Sequence, residues 1–169
     1  MSVDMRPPAP RLLLTGSRAW VDVDTIRYAL DAALSAYGRQ FGREDITLVH
    51  GACHLGGADM IADEVWRGWG LPVELHPARR DAAGRLLGPE RNAEMVALGA
   101  ALCLAFPLPG SRGTANCMRL AREAGIPVRV FRPGEWLDPS DLGVLPVTRC
   151  EWLGEGQPAA SAPTGEVAR

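Results

Sequence analysis

The sequence contains no lysine: all 18 of its basic residues are arginine, set against 20 acidic residues for a formal charge of −2. A balance so close to neutral argues against a protein that coats nucleic acid through its overall charge, since that mode of binding neutralises many phosphates at once. Without lysine there is no GxxxxGK[ST] phosphate loop, and the GxGxxG dinucleotide fingerprint is missing too. Aromatic residues make up only 6%, and none form the aromatic-basic stripe that stacks single-stranded nucleic acid. The arginine-only usage reads as compositional bias, although arginine does suit bidentate contact with phosphate.

No apolar run reaches the roughly 20 residues of a membrane-spanning helix. The first residues, MSVDMRPPAPR, show neither the basic start nor the apolar centre of a signal peptide. A cytoplasmic protein with no membrane partner is the expectation. Cysteines at 53, 103, 117 and 150 form no CxxC pair, and Cys103 lies within the apolar run AALCLAF, so buried reduced thiols are expected. His50, Cys53 and His54 in HGACH match no standard zinc spacing and His76 stands apart, so no metal and no cofactor is assigned.

What is present is a repeating unit in a chain of 169 residues, long enough for one sizeable core. RLLLTGSR is a short apolar run that stops at Gly16, and DVDTIRYALDAALSAYG then places Ile26, Ala29, Leu30, Ala33, Leu34 and Tyr37 at helical spacing. Asp24 is the expected N-cap of that helix and Gly38 its stop. ITLVHG and the glycine-led GGADMIADEVWRGWG repeat the strand and helix; LPVELHPA is followed by a polar loop and a helix from about Pro89 to Leu98; AALCLAF, RGTANCMRLAREAG and PVRVF complete the series. This alternation predicts an α/β fold, a Rossmann-like open parallel sheet with helices on both faces, in a single domain. The expected boundaries are a disordered lead at 1–10, the domain at 11–138, a C-terminal arm at 139–153 and a disordered tail at 154–169 rich in Pro, Ala, Ser and Gly.

Ligands of such sheets bind at the carboxyl ends of the strands. Four unusual turns fall on that edge: TGSR at 15–18, HGACHLGGAD at 50–59, GPERN at 88–92 and PGSRGT at 109–114. Glycines allow a ligand to approach the backbone, and helix starts offer unpaired N–H groups at a positive dipole end, which makes phosphate the natural ligand. Arg18, Arg91 and Arg112 are placed to add charged hydrogen bonds. One glycine turn is a weak signal, because turns need glycine for geometry alone; four on one edge are a much stronger one.

Together, TGSR, HGACHLGGADMIADEVW, GPERNAEM and PGSRGTANCM resemble the YspA/YpsA-related branch of the SLOG superfamily, over roughly residues 11–131. That superfamily also includes the Lonely Guy phosphoribohydrolases and the DNA-processing protein A fold. The resemblance implies a domain that binds a nucleotide or nucleotide-derived small molecule, such as a nucleoside monophosphate or an ADP-ribose-like ligand, as a sensor or binding module, and it suggests a homodimer. Carried across by motif, the ligand-binding residues are Gly16, Ser17 and Arg18 in the first loop and Gly51, Gly56, Gly57 and Asp59 in the second. Arg91 and Asn92 follow in the third, and Gly110, Ser111, Gly113 and Thr114 match the PGGxGT phosphate loop, with serine for its second glycine. Asn92 and Asp59 are expected to bond ribose hydroxyls.

The phosphoribohydrolase pattern continues PGGxGTxxE, and its glutamate position is Cys117 here. Cleavage of a ribosyl bond needs a group that stabilises an oxocarbenium-like centre and activates water, work that thiols do poorly. The alternative reading, an N-glycosidase, therefore requires Arg91 with a relocated carboxylate from Asp59, Glu90 or Glu94, each of which equally suits a cap or a helix surface. A single-stranded DNA-binding relative is a third reading, opposed by the charge balance. Two readings also stand for Trp20, stacking on a base or packing on the first helix, and for Trp66 and Trp69, core or dimer face.

Overall fold

The computed structural model describes residues 10–53 and 55–135. Residues 1–9, His54, the expected arm at 139–153 and the expected tail at 154–169 lie outside the described residues. The chain forms β1 (Arg11–Gly16), α1 (Val23–Phe41), a 3-10 turn at Arg43–Asp45, β2 (Thr47–His50), α2 (Ala58–Gly68), β3 (Val73–Leu75), α3 (Gly88–Ala97), β4 (Leu102–Phe106), α4 (Arg112–Glu123) and β5 (Val128–Val130). The five strands pair in parallel throughout, in the order β3-β2-β1-β4-β5. This is the α/β Rossmann-like architecture that the alternating pattern predicts.

β1 is central and fully buried at Leu12, Leu13 and Leu14, because the period of two sends these leucines to opposite faces that are both covered. Leu12 and Leu14 join Ile26, Leu30, Leu34 and Trp66 on the α1 and α2 side. Leu13 joins Val49, Met95, Cys103 and Cys117 on the α3 and α4 side. The chain runs outward from β1 through β2 to β3, then crosses back to place β4 on the other flank of β1. The resulting reversal between β1 and β4 is the switch point at whose carboxyl ends sheets of this kind leave a crevice for a ligand. Among the described residues no helix is long and apolar enough to cross a membrane.

Two helix signals shift. The N-cap of α1 is Asp22 rather than Asp24: its carboxylate accepts the Thr25 N–H at 3.1 Å and the Thr25 hydroxyl at 2.7 Å, while Asp24 lies in the first turn. Gly38 does not stop the helix, which continues to Phe41 and ends at Gly42, where φ is +92° and the N–H returns to the Gly38 carbonyl. Gly38 instead makes room for the returning chain, since a Cβ there would lie 2.9 Å from Cγ of Arg43.

Trp20 belongs to the core. Its ring meets Phe106 edge-on at 5.3 Å, Phe106 stacks on Phe131 at 5.0 Å, and its indole N–H donates to the Asp22 carbonyl at 2.8 Å. Trp66 is likewise fully buried, with its N–H on the Pro72 carbonyl at 2.9 Å, and Trp69 packs against it at 5.9 Å.

Asp22 also accepts the Gly134 N–H at 2.6 Å, so one carboxylate starts α1 and ties down the segment after β5. The bonds from Thr25, then that from Gly134, hold its carboxyl below the ordinary value. A depressed carboxyl adds stability that is complete above its unfolded-state value and fades as pH falls through the folded one. Asp22→Ala is therefore expected to cost about 1 kcal/mol at pH 7 in urea unfolding. The gap between variant and wild type should close toward pH 2, and Asp22→Asn should keep most of the cap without that acid dependence.

Candidate functional site

β1 ends where α2 begins. The Ser17 N–H donates to the Phe106 carbonyl at 2.9 Å, stitching the ends of β1 and β4, and the Ser17 carbonyl accepts the Ala58 N–H at 3.1 Å, so the first turn of α2 rests on the β1 exit. Glycine makes this approach possible on both sides. A Cβ on Gly16 would sit 2.3 Å from that of Ala58, and one on Gly57, whose φ is +82°, would sit 2.3 Å from the Ser17 carbonyl oxygen. Arg18 follows and is exposed.

The second loop is held by α2. Asp59, in its first turn and buried, takes hydrogen bonds from the backbone N–H groups of Cys53 and Gly51. Burial pushes its carboxyl up from the ordinary value, against the lowering influence of His50, Arg91 and those two bonds. Between them Ala52 has φ +50° in the left-handed region, and its N–H donates to Nδ1 of His50 at 3.2 Å.

The third loop closes over the second. Arg91 Nη1 donates to the carbonyls of Gly51 and His76, the latter at 3.0 Å, and its Nε donates to Oδ1 of Asn92 at 3.0 Å. A Cβ on Gly51 would overlap the guanidinium. Nη2 donates to no group among the described residues. Asn92 is 4% exposed, and its amide nitrogen donates to the Gly113 carbonyl at 3.2 Å and to Oδ1 of Asn116 at 3.0 Å, so it fastens α3 to the start of α4. Glu94 is exposed and ion-paired with Arg79, and Glu90 is exposed too, while Arg91 and Asp59 act on each other electrostatically. Of the carboxylates considered for chemistry, the structure brings only Asp59 to Arg91.

The fourth loop is open. Gly110 turns the chain at φ +80°, and the Ser111 hydroxyl accepts the Leu108 N–H at 3.1 Å rather than capping α4. The first turn of α4 has no acidic residue and no side-chain cap. A Cβ at Gly113 would meet nothing within 4 Å, and its φ is not in the left-handed region. Thr114 is buried behind it, and Cys117 is fully buried one turn further on. Burial pushes the Cys117 thiol up, with a bond from Thr15 and the charge of Arg91 working the other way and the Asp59 charge adding to the rise. A thiol held protonated is no nucleophile at neutral pH.

Residues 10–82 match the family described as YAcAr: YspA, cpYpsA-related SLOG family. Gene 61 protein of Mycobacterium phage D29 is 46% identical over 128 residues, which cover 72% of this chain and 95% of that protein. The chain belongs to this SLOG family. No solved structure matches it. The family match takes in the loops at 15–18 and 50–59, whereas Arg91, Asn92 and the 110–114 loop lie beyond it. Family and fold together support a nucleotide-related binding or processing module.

Thr15 and Asn116 lie within the four motifs, which give them no role, and the carbonyl of His76 lies outside them; together they complete the cluster around Cys117, Asn92 and Arg91. Nor do the motifs separate glycines that packing requires from one that it does not. Gly57→Ala is expected to lower the stability of this SLOG protein by more than 1 kcal/mol, on the order of the penalty for an incompatible backbone. Gly113→Ala should leave stability unchanged or raise it by up to about 1 kcal/mol through helix propensity. Thermal unfolding of the two variants beside wild type checks the contrast.

Proposed function

We propose that this protein binds a nucleotide or nucleotide-derived ligand, a nucleoside monophosphate or an ADP-ribose-like molecule, as a sensor or binding module at the β1–β4 crevice. One observation carries the reading: the start of α4 is uncapped, free of acid and roofed by a glycine that neither packing nor backbone conformation requires. Such a helix start presents backbone N–H groups and a positive dipole end to an anion, with nothing above Gly113 to block it. The Ser111 and Arg112 N–H groups are taken by the Leu108 and Gly110 carbonyls, so a phosphate on the Gly110, Ser111, Gly113 and Thr114 loop would draw on the N–H groups of Gly113 and Thr114, with the Arg112 side chain at the same loop. Arg18 and Nη2 of Arg91 are the further donors along the crevice for a second phosphate or a ribose.

The geometry gives Asp59 and Asn92 a supporting share. Both amide hydrogens of Asn92 go to protein acceptors, and the Asp59 carboxylate faces two backbone N–H groups, so their main work is to shape the loops that meet the ligand. Gly16, Gly51 and Gly57 act in the same way, by letting those loops close on one another.

A second reading is favoured by one specific feature. Asp59 and Arg91 both act electrostatically on Cys117, the position of the phosphoribohydrolase glutamate, so a carboxylate does stand near that place. Burial raises the Asp59 pKa, which is the direction a general acid needs. Its bonds to Gly51 and Cys53 work against that role, because a proton donor would have to leave them.

Titration calorimetry with AMP and with ADP-ribose, run beside chromatography for released adenine and ribose phosphate, tests both readings. Binding without release is expected, and Gly113→Ala should weaken it about tenfold, a change of about 1.4 kcal/mol. Base release that disappears in Asp59→Asn would instead establish the N-glycosidase, and failure of both ligands to bind would overturn the nucleotide reading.

A further inference from the structure

His50 ends β2 and is 2% exposed, and it carries no role in the motif reading of the site. Its two ring nitrogens are both engaged. Ala52 contributes a backbone N–H to Nδ1, so Nδ1 must be the acceptor nitrogen, and the ring proton lies on Nε2, which faces Oδ1 of Asp63 at 3.0 Å. Asp63 is in turn held by Nε of Arg67 at 2.8 Å. A carboxylate behind an imidazole sets the tautomer in front of it.

The residue secured by this arrangement is the strained one. Ala52, at φ +50°, occupies a region that alanine enters only at a cost and keeps only where its surroundings hold it. Its neighbours Gly51 and Cys53 give their N–H groups to Asp59, and the Gly51 carbonyl receives Arg91. Three successive N–H groups and one carbonyl of the loop are thus pinned by His50, Asp59 and Arg91.

We propose that His50 is a positioning residue for the 50–59 loop: its unprotonated Nδ1, oriented by Asp63, holds Ala52 in the left-handed conformation that gives the loop its ligand-facing shape. The inference rests on that loop being part of the ligand site. Asx-type turns close the same i to i+2 bond with an Asn or Asp oxygen, so asparagine at 50 can keep the Ala52 bond while losing the titratable ring. A second ring proton has only Nδ1 to occupy, where it would turn the acceptor into a donor facing the Ala52 N–H. The charged and titratable groups around the ring are Asp59, Asp63 and, behind it, Arg67 on α2, Arg91 on α3, and His76 with Glu74 at β3, whose carboxylate is bonded to His76 and Arg11. The Ala52 bond is made by an unprotonated Nδ1.

The test needs no ligand. Nitrogen-15 spectra of the His50 ring in the whole protein should show the Nε2–H tautomer at pH 8. Amide exchange at Ala52 should be about tenfold faster in His50→Leu than in the wild-type protein, the scale of one hydrogen bond. His50→Asn should keep the wild-type protection. An Nδ1–H tautomer, or wild-type protection of the Ala52 amide in His50→Leu, would overturn the assignment. If AMP and ADP-ribose fail to bind while the exchange results hold, the ligand reading falls and the role of His50 in the loop stands.

Discussion

The contact on which the rest of the structure depends is the approach of two backbones at the reversal in strand order. Ser17 bonds Phe106 of β4 with its N–H and Ala58 of α2 with its carbonyl, so one residue joins the central strand, its neighbour across the switch point and the helix that follows the second loop. The distances allow no side chain at Gly16 or Gly57. With that contact made, the start of α2 is fixed relative to the sheet, and Asp59 in its first turn comes to rest under the 51–53 segment. A bulkier residue at either glycine would lift α2 and withdraw the carboxylate from the loop it organises.

Polar groups then do for the loops what leucines do for the sheet. A buried donor or acceptor without a partner costs on the order of 1–3 kcal/mol, so a loop whose N–H and carbonyl groups are matched one by one is held in one shape. Asp59 and His50 meet the N–H groups of 51, 52 and 53, Arg91 meets the carbonyls of 51 and 76, and Asn92 joins Arg91 to the Gly113 carbonyl. The chain of bonds runs from β2 through α3 to α4, and no buried side-chain nitrogen or oxygen among the described residues lacks a partner. The α4 start is where this satisfaction stops: its cap position spends its hydroxyl on Leu108 instead.

The fold was legible because a parallel sheet covered on both faces writes its strands as apolar runs, of which RLLLTG and LCLAF are the plainest. The position of α1 was legible and its cap was not: Asp22 and Asp24 both precede the apolar series, and the choice is made by the contact of Asp22 with Gly134, 112 residues away. The four ligand-edge turns could be located from glycine and proline spacing. Their division of labour could not, since Gly57 and Gly113 look alike as letters and differ only in what stands above each α-carbon. His50 ends β2, and its bond to Ala52 leaves no mark in composition or period.

Cys117 stands where the phosphoribohydrolase pattern has glutamate, and its surroundings suit a neutral side chain. The thiol lies fully buried among Leu13, Val49, Cys103 and Ala121, in the core that joins α4 to the sheet, and a neutral side chain there costs nothing. A glutamate in the same place would put a second carboxylate near Asp59, two like charges of which one would be driven to hold a proton. With cysteine, Asp59 is the one carboxylate acting on Cys117, and it is occupied in holding the loop. On the reading we propose, recognition of a phosphate would come from backbone N–H groups and arginine, and it would not require a carboxylate at 117.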